Sequence, residues 1–186
     1  REAQVYPALG GQKLRVALYD FGVKENMIRC LQNRGCEVTV FPARTPAEAV
    51  LSGGFDGVML SNGPGDPQQC TATISNIKKA MALGKPIFGI CLGNQLLSIA
   101  AGATTFKLKY GHRSHNQPAL MVGTNKAVIT SQNHGFAVNT DTLGPDWEPY
   151  FVNLNDGTSE GIRHKRLPFF SVQFHPEASG GPVDTE

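Results

Sequence analysis

A single cysteine stands where an apolar run passes directly into a helical pattern, in Pro86-Ile87-Phe88-Gly89-Ile90-Cys91-Leu92-Gly93-Asn94-Gln95-Leu96-Leu97. The residues before Cys91 are of strand type, and Leu96, Leu97, Ile99 and Ala100 follow at helical spacing. Gly89-Ile90-Cys91-Leu92-Gly93 has the form of a nucleophile elbow, with cysteine where serine hydrolases place serine. So sharp a turn crowds the backbone beside the nucleophile, and the flanking glycines relieve the clash. It also places the sulfur at a helix N-terminus, where free N–H groups and the macrodipole favour thiolate over thiol. The alternative is a buried structural cysteine, and the rest of the chain has to decide.

At 186 residues, 40% hydrophobic and 17% charged, the chain can bury the core of one ordinary domain. Its net charge of +2 is too mild to imply nucleic acid or a membrane surface, and no apolar run approaches the roughly 20 residues of a span. Arg163-His164-Lys165-Arg166 reads as a solvated turn. Cys30, Cys36, Cys70 and Cys91 show no paired C-x-x-C spacing, so neither zinc nor redox chemistry is signalled, and a disulfide framework is not expected. No secretory signal is evident, although the chain lacks an initiator Met, and the expected location is cytoplasmic.

Strand and helix patterns alternate through the first half. Strands are predicted over 14–19, 37–41, 57–60 and 85–89, and helices around Met27–Leu31, after Thr45-Pro46, and across Ile74–Met81. Thr45 is expected to cap the second helix. After about residue 104 the pattern becomes short β-like runs: 104–108, 119–122, 127–130, 151–154 and 169–174. The expected fold is α/β, a doubly wound, mostly parallel sheet with antiparallel strands added in the second half. Functional loops then sit at the carboxyl ends of the strands, where Asn62-Gly63-Pro64-Gly65-Asp66-Pro67 and Cys91 both fall.

A cysteine nucleophile needs a base, and the base needs an orienting group. The strand Phe170–Phe174 runs into His175-Pro176-Glu177, which supplies both. His175 would take the thiol proton and return it to the leaving group, while Glu177 would hold the imidazole tautomer. Read otherwise, they are an ordinary loop histidine and a surface glutamate. The Leu92 N–H is the expected first donor of an oxyanion hole, and the Gly63–Gly65 backbone can approach as a second. The alternatives for that loop are a phosphate-binding or merely tight turn, although no Gly-Lys-Ser/Thr follows it. His112 and His115 suggest a metal pair, but no further ligand cluster supports one and none is expected. Ser131-Gln132-Asn133-His134-Gly135-Phe136 reads as a polar loop suited to a small polar ligand.

Together these motifs resemble the class I, or triad, glutamine amidotransferases. Ser61–Pro67, Ser131–Phe136, Gln173–Glu177, Asp20-x-Gly22-x-Lys24-x-Asn26-x-x-Arg29 and Gly111–Pro118 are similar to the glutaminase domains of carbamoyl-phosphate synthases in particular. The likeness runs from about residue 13 to residue 186. It implies a flavodoxin-like fold and a thioester mechanism with Cys91, His175 and Glu177 as catalytic residues. Gly63 and Leu92 would form the oxyanion hole, with Gly65, Gln95, Asn133, Gly135 and Phe136 around bound L-glutamine. Ammonia would pass to a large synthetase subunit, or a fused synthetase domain, that uses bicarbonate and ATP with magnesium; this domain itself would carry no cofactor. By the same likeness, residues 1–12 are a linker from a further amino-terminal domain, residues 13–186 are the amidotransferase domain, and a terminal helix is expected beyond 181–186. The family usually has histidine at the position of Asn94. Other class I amidotransferases, such as those serving GMP or anthranilate synthesis, are the nearest alternative, and a non-catalytic glutamine-binding module is the second.

Overall fold

Every strand of the structure, a computed structural model describing residues 2–178 and Thr185, joins one ten-stranded sheet. The strands are β1 (Gln4–Tyr6), β2 (Leu14–Asp20), β3 (Cys36–Pro42), β4 (Gly57–Leu60), β5 (Ile87–Ile90), β6 (Thr104–Met121), β7 (Ala127–Asn139), β8 (Trp147–Asn153), β9 (Ser159–His164) and β10 (Phe169–Val172). Their order is β1-β3-β2-β4-β5-β10-β9-β8-β6-β7. The block β3-β2-β4-β5-β10 is parallel; β1 at one edge and β9-β8-β6-β7 at the other pair antiparallel. The expected α/β class with added antiparallel strands is the one observed.

Strand alternation divides the core between the two faces of the sheet. Ala17 and Tyr19 on β2, Val58 and Leu60 on β4 and Ile87 on β5 face one side, against α2 (Ala47–Leu51), α3 (Thr71–Met81) and α4 (Leu92–Ala100). Leu18, Met59 and Ile90 face the other side, with Met27 and Ile28 of α1 (Glu25–Asn33). On α4, Leu96 and Leu97 are completely enclosed, and each such leucine contributes about 1.5–3 kcal/mol by leaving water. That anchoring makes α4 a fixed platform for the residue at its start.

Four local readings need correction. Thr45 does not cap α2: Pro46 occupies that position and makes no side-chain cap, while Asn76 Oδ1 accepts from the Ala47 N–H at 3.3 Å. The runs 104–108 and 119–122 belong to a single strand, β6, whose register slips twice, between Lys107 and His112 and between Ser114 and Gln117. Ser131–Phe136 is part of β7 and not a loop, because polar side chains that suggest one are paired across to β6. Ser159–His164 is a strand that its sequence does not announce, since Ile162 is its one apolar side chain and buried Glu160 looks solvated. Within the segment expected to be a linker, Gln4–Tyr6 pairs with β3. The chain end at 181–186, beyond which a terminal helix is expected, lies outside the described residues apart from Thr185.

Candidate active site

β5 and β10 are parallel neighbours with Ile90 opposite Val172, so the chain leaving β5 and the chain leaving β10 emerge side by side. The Cys91 N–H donates to Val172 O at 2.9 Å, and the His175 N–H donates to Ser131 O at 2.9 Å. These two backbone bonds tie the elbow to β10 and the histidine to β7. Sheet register thereby unites residues far apart in sequence.

Cys91 has φ 54° and ψ −103°, the one positive φ outside glycine among the described residues. Such a conformation costs about 1–3 kcal/mol and persists only where the surroundings impose it. A Cβ on Gly93 would lie 2.2 Å from Leu60 O, and one on Gly89 would lie 2.6 Å from Gly93 O. Both elbow glycines are therefore required by close backbone approach, as the motif implies.

Cys91 and His175 line one cavity of about 580 Å³ together with Gly63, Gly65, Gln95, Asn133, Gly135 and Phe136. Its volume falls in the usual range for small-molecule sites. Leu92 is not among the lining residues: its side chain is buried in the core, and its backbone N–H faces the Cys91 sulfur. Glu177 stands behind the histidine, with Oε1 2.9 Å from His175 Nδ1. Burial opposes ionisation of Glu177, but its bond to His175 and the Lys24 charge hold its carboxyl below the usual range. The Cys91 thiol behaves differently from the sequence expectation. Burial pushes its pKa up to about 12 although the Leu92 N–H opposes this, so the resting sulfur holds its proton until a base takes it.

A family model for class-I glutamine amidotransferases matches residues 17–186. The chain belongs to the class I glutamine amidotransferase family. Three arginine-specific small chains of carbamoyl phosphate synthase are similar to it. That of Saccharomyces cerevisiae is 58% identical over 95% of this chain and 44% of its own length. That of Debaryomyces hansenii is 56% identical over 92% and 40%, and that of Neurospora crassa 58% identical over 93% and 38%. The chain thus spans about two fifths of the length of the curated relatives it matches. Among solved structures, a Thermoplasma acidophilum protein described as one subunit of a GMP synthase superposes with TM-score 0.77 at 22% identity, covering 89% of this chain and 85% of that one. A Thermotoga maritima glutamine amidotransferase gives TM-score 0.70 at 18% identity, over 89% and 76%. These two likenesses establish the fold.

The candidate site also holds residues to which the motifs assign no role. Lys24, Lys107, Arg113 and His134 line the cavity. Lys24 Nζ lies 3.2 Å from His175 Nδ1 and 3.3 Å from Glu177 Oε1, so the Nδ1 edge of the histidine faces a carboxylate and an ammonium together. Its position in the loop at the carboxyl end of β2 is the available signal. Asn94 lies outside the cavity lining: it is completely buried, accepts from Ser171 Oγ and donates to Gln173 Oε1. His115 bonds Ser131 Oγ and stands apart from His112. The groups gathered at His112 are His134 and Glu160, with donor atoms within 4.8 Å of one another, a cluster that spacing along the chain does not reveal. No helix among the described residues is long and apolar enough to cross a membrane.

Proposed function

We propose that this chain is the glutaminase region of an arginine-specific carbamoyl phosphate synthase small chain. The observation that carries the reading is Cys91, held at an elbow, opening into one cavity together with His175, which Glu177 backs. In this reading Cys91 Sγ attacks the carboxamide carbon of L-glutamine as His175 removes the thiol proton. The carbonyl oxygen becomes an oxyanion facing the N–H groups of Leu92 and Gly63. His175 returns the proton to the nitrogen, ammonia leaves, and a thioester remains. Water, deprotonated by the same histidine, then releases glutamate and restores the thiol. Glu177 stabilises the imidazolium at each proton transfer. Gly65, Gln95, Asn133, Gly135 and Phe136 enclose the substrate.

The small-chain assignment rests on the relatives' names, and it makes a large synthetase subunit the consumer of ammonia. ATP and magnesium belong to that subunit in this reading. Four unpaired cysteines support a reducing compartment such as the cytosol. The test is Cys91→Ser in the intact assembly. Carbamoyl phosphate synthesis from glutamine should vanish while synthesis from ammonium salts persists, because only the ammonia source is lost. Loss of both activities in an assembled complex, or wild-type synthesis from free ammonia alone, overturns the reading.

A further inference from the structure

Behind the candidate pocket, the antiparallel half of the sheet encloses a polar cluster that the proposed chemistry does not use. His112 on β6 and His134 on β7 are cross-strand partners, with rings edge-on and centroids 4.8 Å apart. Gly111, at φ 70°, allows this approach: a Cβ there would lie 2.6 Å from His134 O.

The protons of the cluster can be followed donor by donor. The Thr130 hydroxyl donates to Gln117 O at 2.7 Å, so its oxygen accepts from Gln132 Nε2 at 3.0 Å. That turns Gln132 Oε1, an acceptor, toward the two imidazoles, 3.0 Å from His112 Nδ1 and 3.0 Å from His134 Nε2. His134 Nδ1 donates to Phe136 O at 2.8 Å, and burial pushes the pKa of this ring down. His112 Nδ1 therefore faces Gln132 Oε1, His134 Nε2 at 3.2 Å and Glu160 Oε1 at 3.5 Å, while its Nε2 faces Asp156 Oδ2 at 2.8 Å. Gln132 Oε1, Glu160 Oε1 and Asp156 Oδ2 are acceptors, two of them on carboxylates, and a ring protonated at both nitrogens donates on each side.

Glu160 needs that positive charge. It is completely buried, Asn153 donates to its Oε1 at 2.9 Å, and its Oε2 has no hydrogen-bond partner among the described residues. Pairing with Glu160 and with Asp156 outweighs burial and raises the His112 pKa to about 9. The titratable groups facing His112 are Asp156 from the β8–β9 turn, Glu160 from β9 and His134 from β7; on β6 itself, Arg113 turns away to Tyr110 O. The far end of the network reaches the pocket, since Phe136 O accepts from both His134 Nδ1 and the Gln95 amide.

We propose that His112, clamped as an imidazolium between Asp156 and Glu160, is a positioning residue for glutamine, holding His134 and with it the Asn133–Phe136 wall of the cavity. The inference rests on the glutaminase reading above. Glutamine hydrolysis by the intact enzyme is measured across pH for wild type, His112→Gln and Glu160→Gln. His112→Gln should raise KM about tenfold, the effect of one lost charge-assisted hydrogen bond, with kcat nearly unchanged. Because the raised pKa belongs to the folded state, the imidazolium is complete near neutral pH and is lost as pH rises through about 9. Wild-type KM should climb there, His112→Gln should lack the climb, and Glu160→Gln should shift it to lower pH. If His112→Gln does not fold, the wild-type and Glu160→Gln profiles decide alone. A wild-type KM flat through this range, or a folded His112→Gln with the wild-type KM, overturns this inference and leaves the glutaminase reading standing. A stoichiometric divalent metal in the purified wild type, whose removal raises KM, overturns it in favour of a metal site. A wild type that hydrolyses no glutamine overturns both readings.

Discussion

Cys91 concentrates the cost of the site in one residue. Its backbone is strained, its sulfur is buried, and its thiol is harder to ionise than a free one. Proton removal must therefore accompany attack, which puts the burden on His175. We expect His175→Asn to lower kcat at saturating glutamine by about 10³–10⁴, because no other group at that position can carry the proton. Glu177→Gln should cost less, about 10², since the imidazole stays but loses its acceptor. In that variant Lys24, 3.2 Å from Nδ1, becomes the nearest charged partner and donates to it, fixing the wrong tautomer. Adding Lys24→Met to Glu177→Gln should then restore part of the rate. A double variant slower than Glu177→Gln alone would show that Lys24 assists the base.

At the level of elements, the site depends on β4, β5 and α4 meeting with nothing between them. The Gly93 N–H donates to Ser61 O at 3.1 Å, so the helix start is bonded directly to the loop carrying Gly63. Gly93→Ala would put a methyl group 2.2 Å from Leu60 O, a backbone atom that cannot rotate away. The expected loss is about 3 kcal/mol, read as a fall in Tm of about 6–12 °C. Gly84→Ala is the control: its φ is 67° but the space around it is open, so only the backbone strain of about 1 kcal/mol applies. Equal falls in Tm for the two variants would mean that the elbow is not closely packed.

On the scale of the whole molecule, the cavity is assembled from the ends of β2, β4, β5 and β10 on one side and from β6 and β7 on the other. Any shift of the antiparallel half against the parallel half changes the distance between Asn133–Phe136 and Cys91. A partner that sets that relation would set the rate. On the proposed glutaminase reading, an unpartnered enzyme wastes its substrate, so we expect hydrolysis by the intact protein alone to be slow and to rise roughly 5–150-fold when the proposed synthetase partner binds, the span of a coupling of about 1–3 kcal/mol. A rate independent of the partner, measured at saturating glutamine, would rule out this coupling.

The elbow, the His175-Pro176-Glu177 turn and the parallel strands of the first half are all legible in the sequence, because each depends on local chemistry. Glycines flank a sharp turn, apolar residues repeat with the period of their element, and short turns join them. The second half is harder to read for a physical reason. Gln132, His134 and Glu160 look solvated in a linear chain, yet they lie inside strands because their hydrogen-bond partners arrive from other strands. Tertiary structure alone decides that Val172 pairs with Ile90, setting the histidine turn beside the cysteine. It also decides that Lys24 reaches His175, and that His112 is flanked by two carboxylates. Those pairings follow from strand order and register, which are set by the packing of both sheet faces at once and by no single segment.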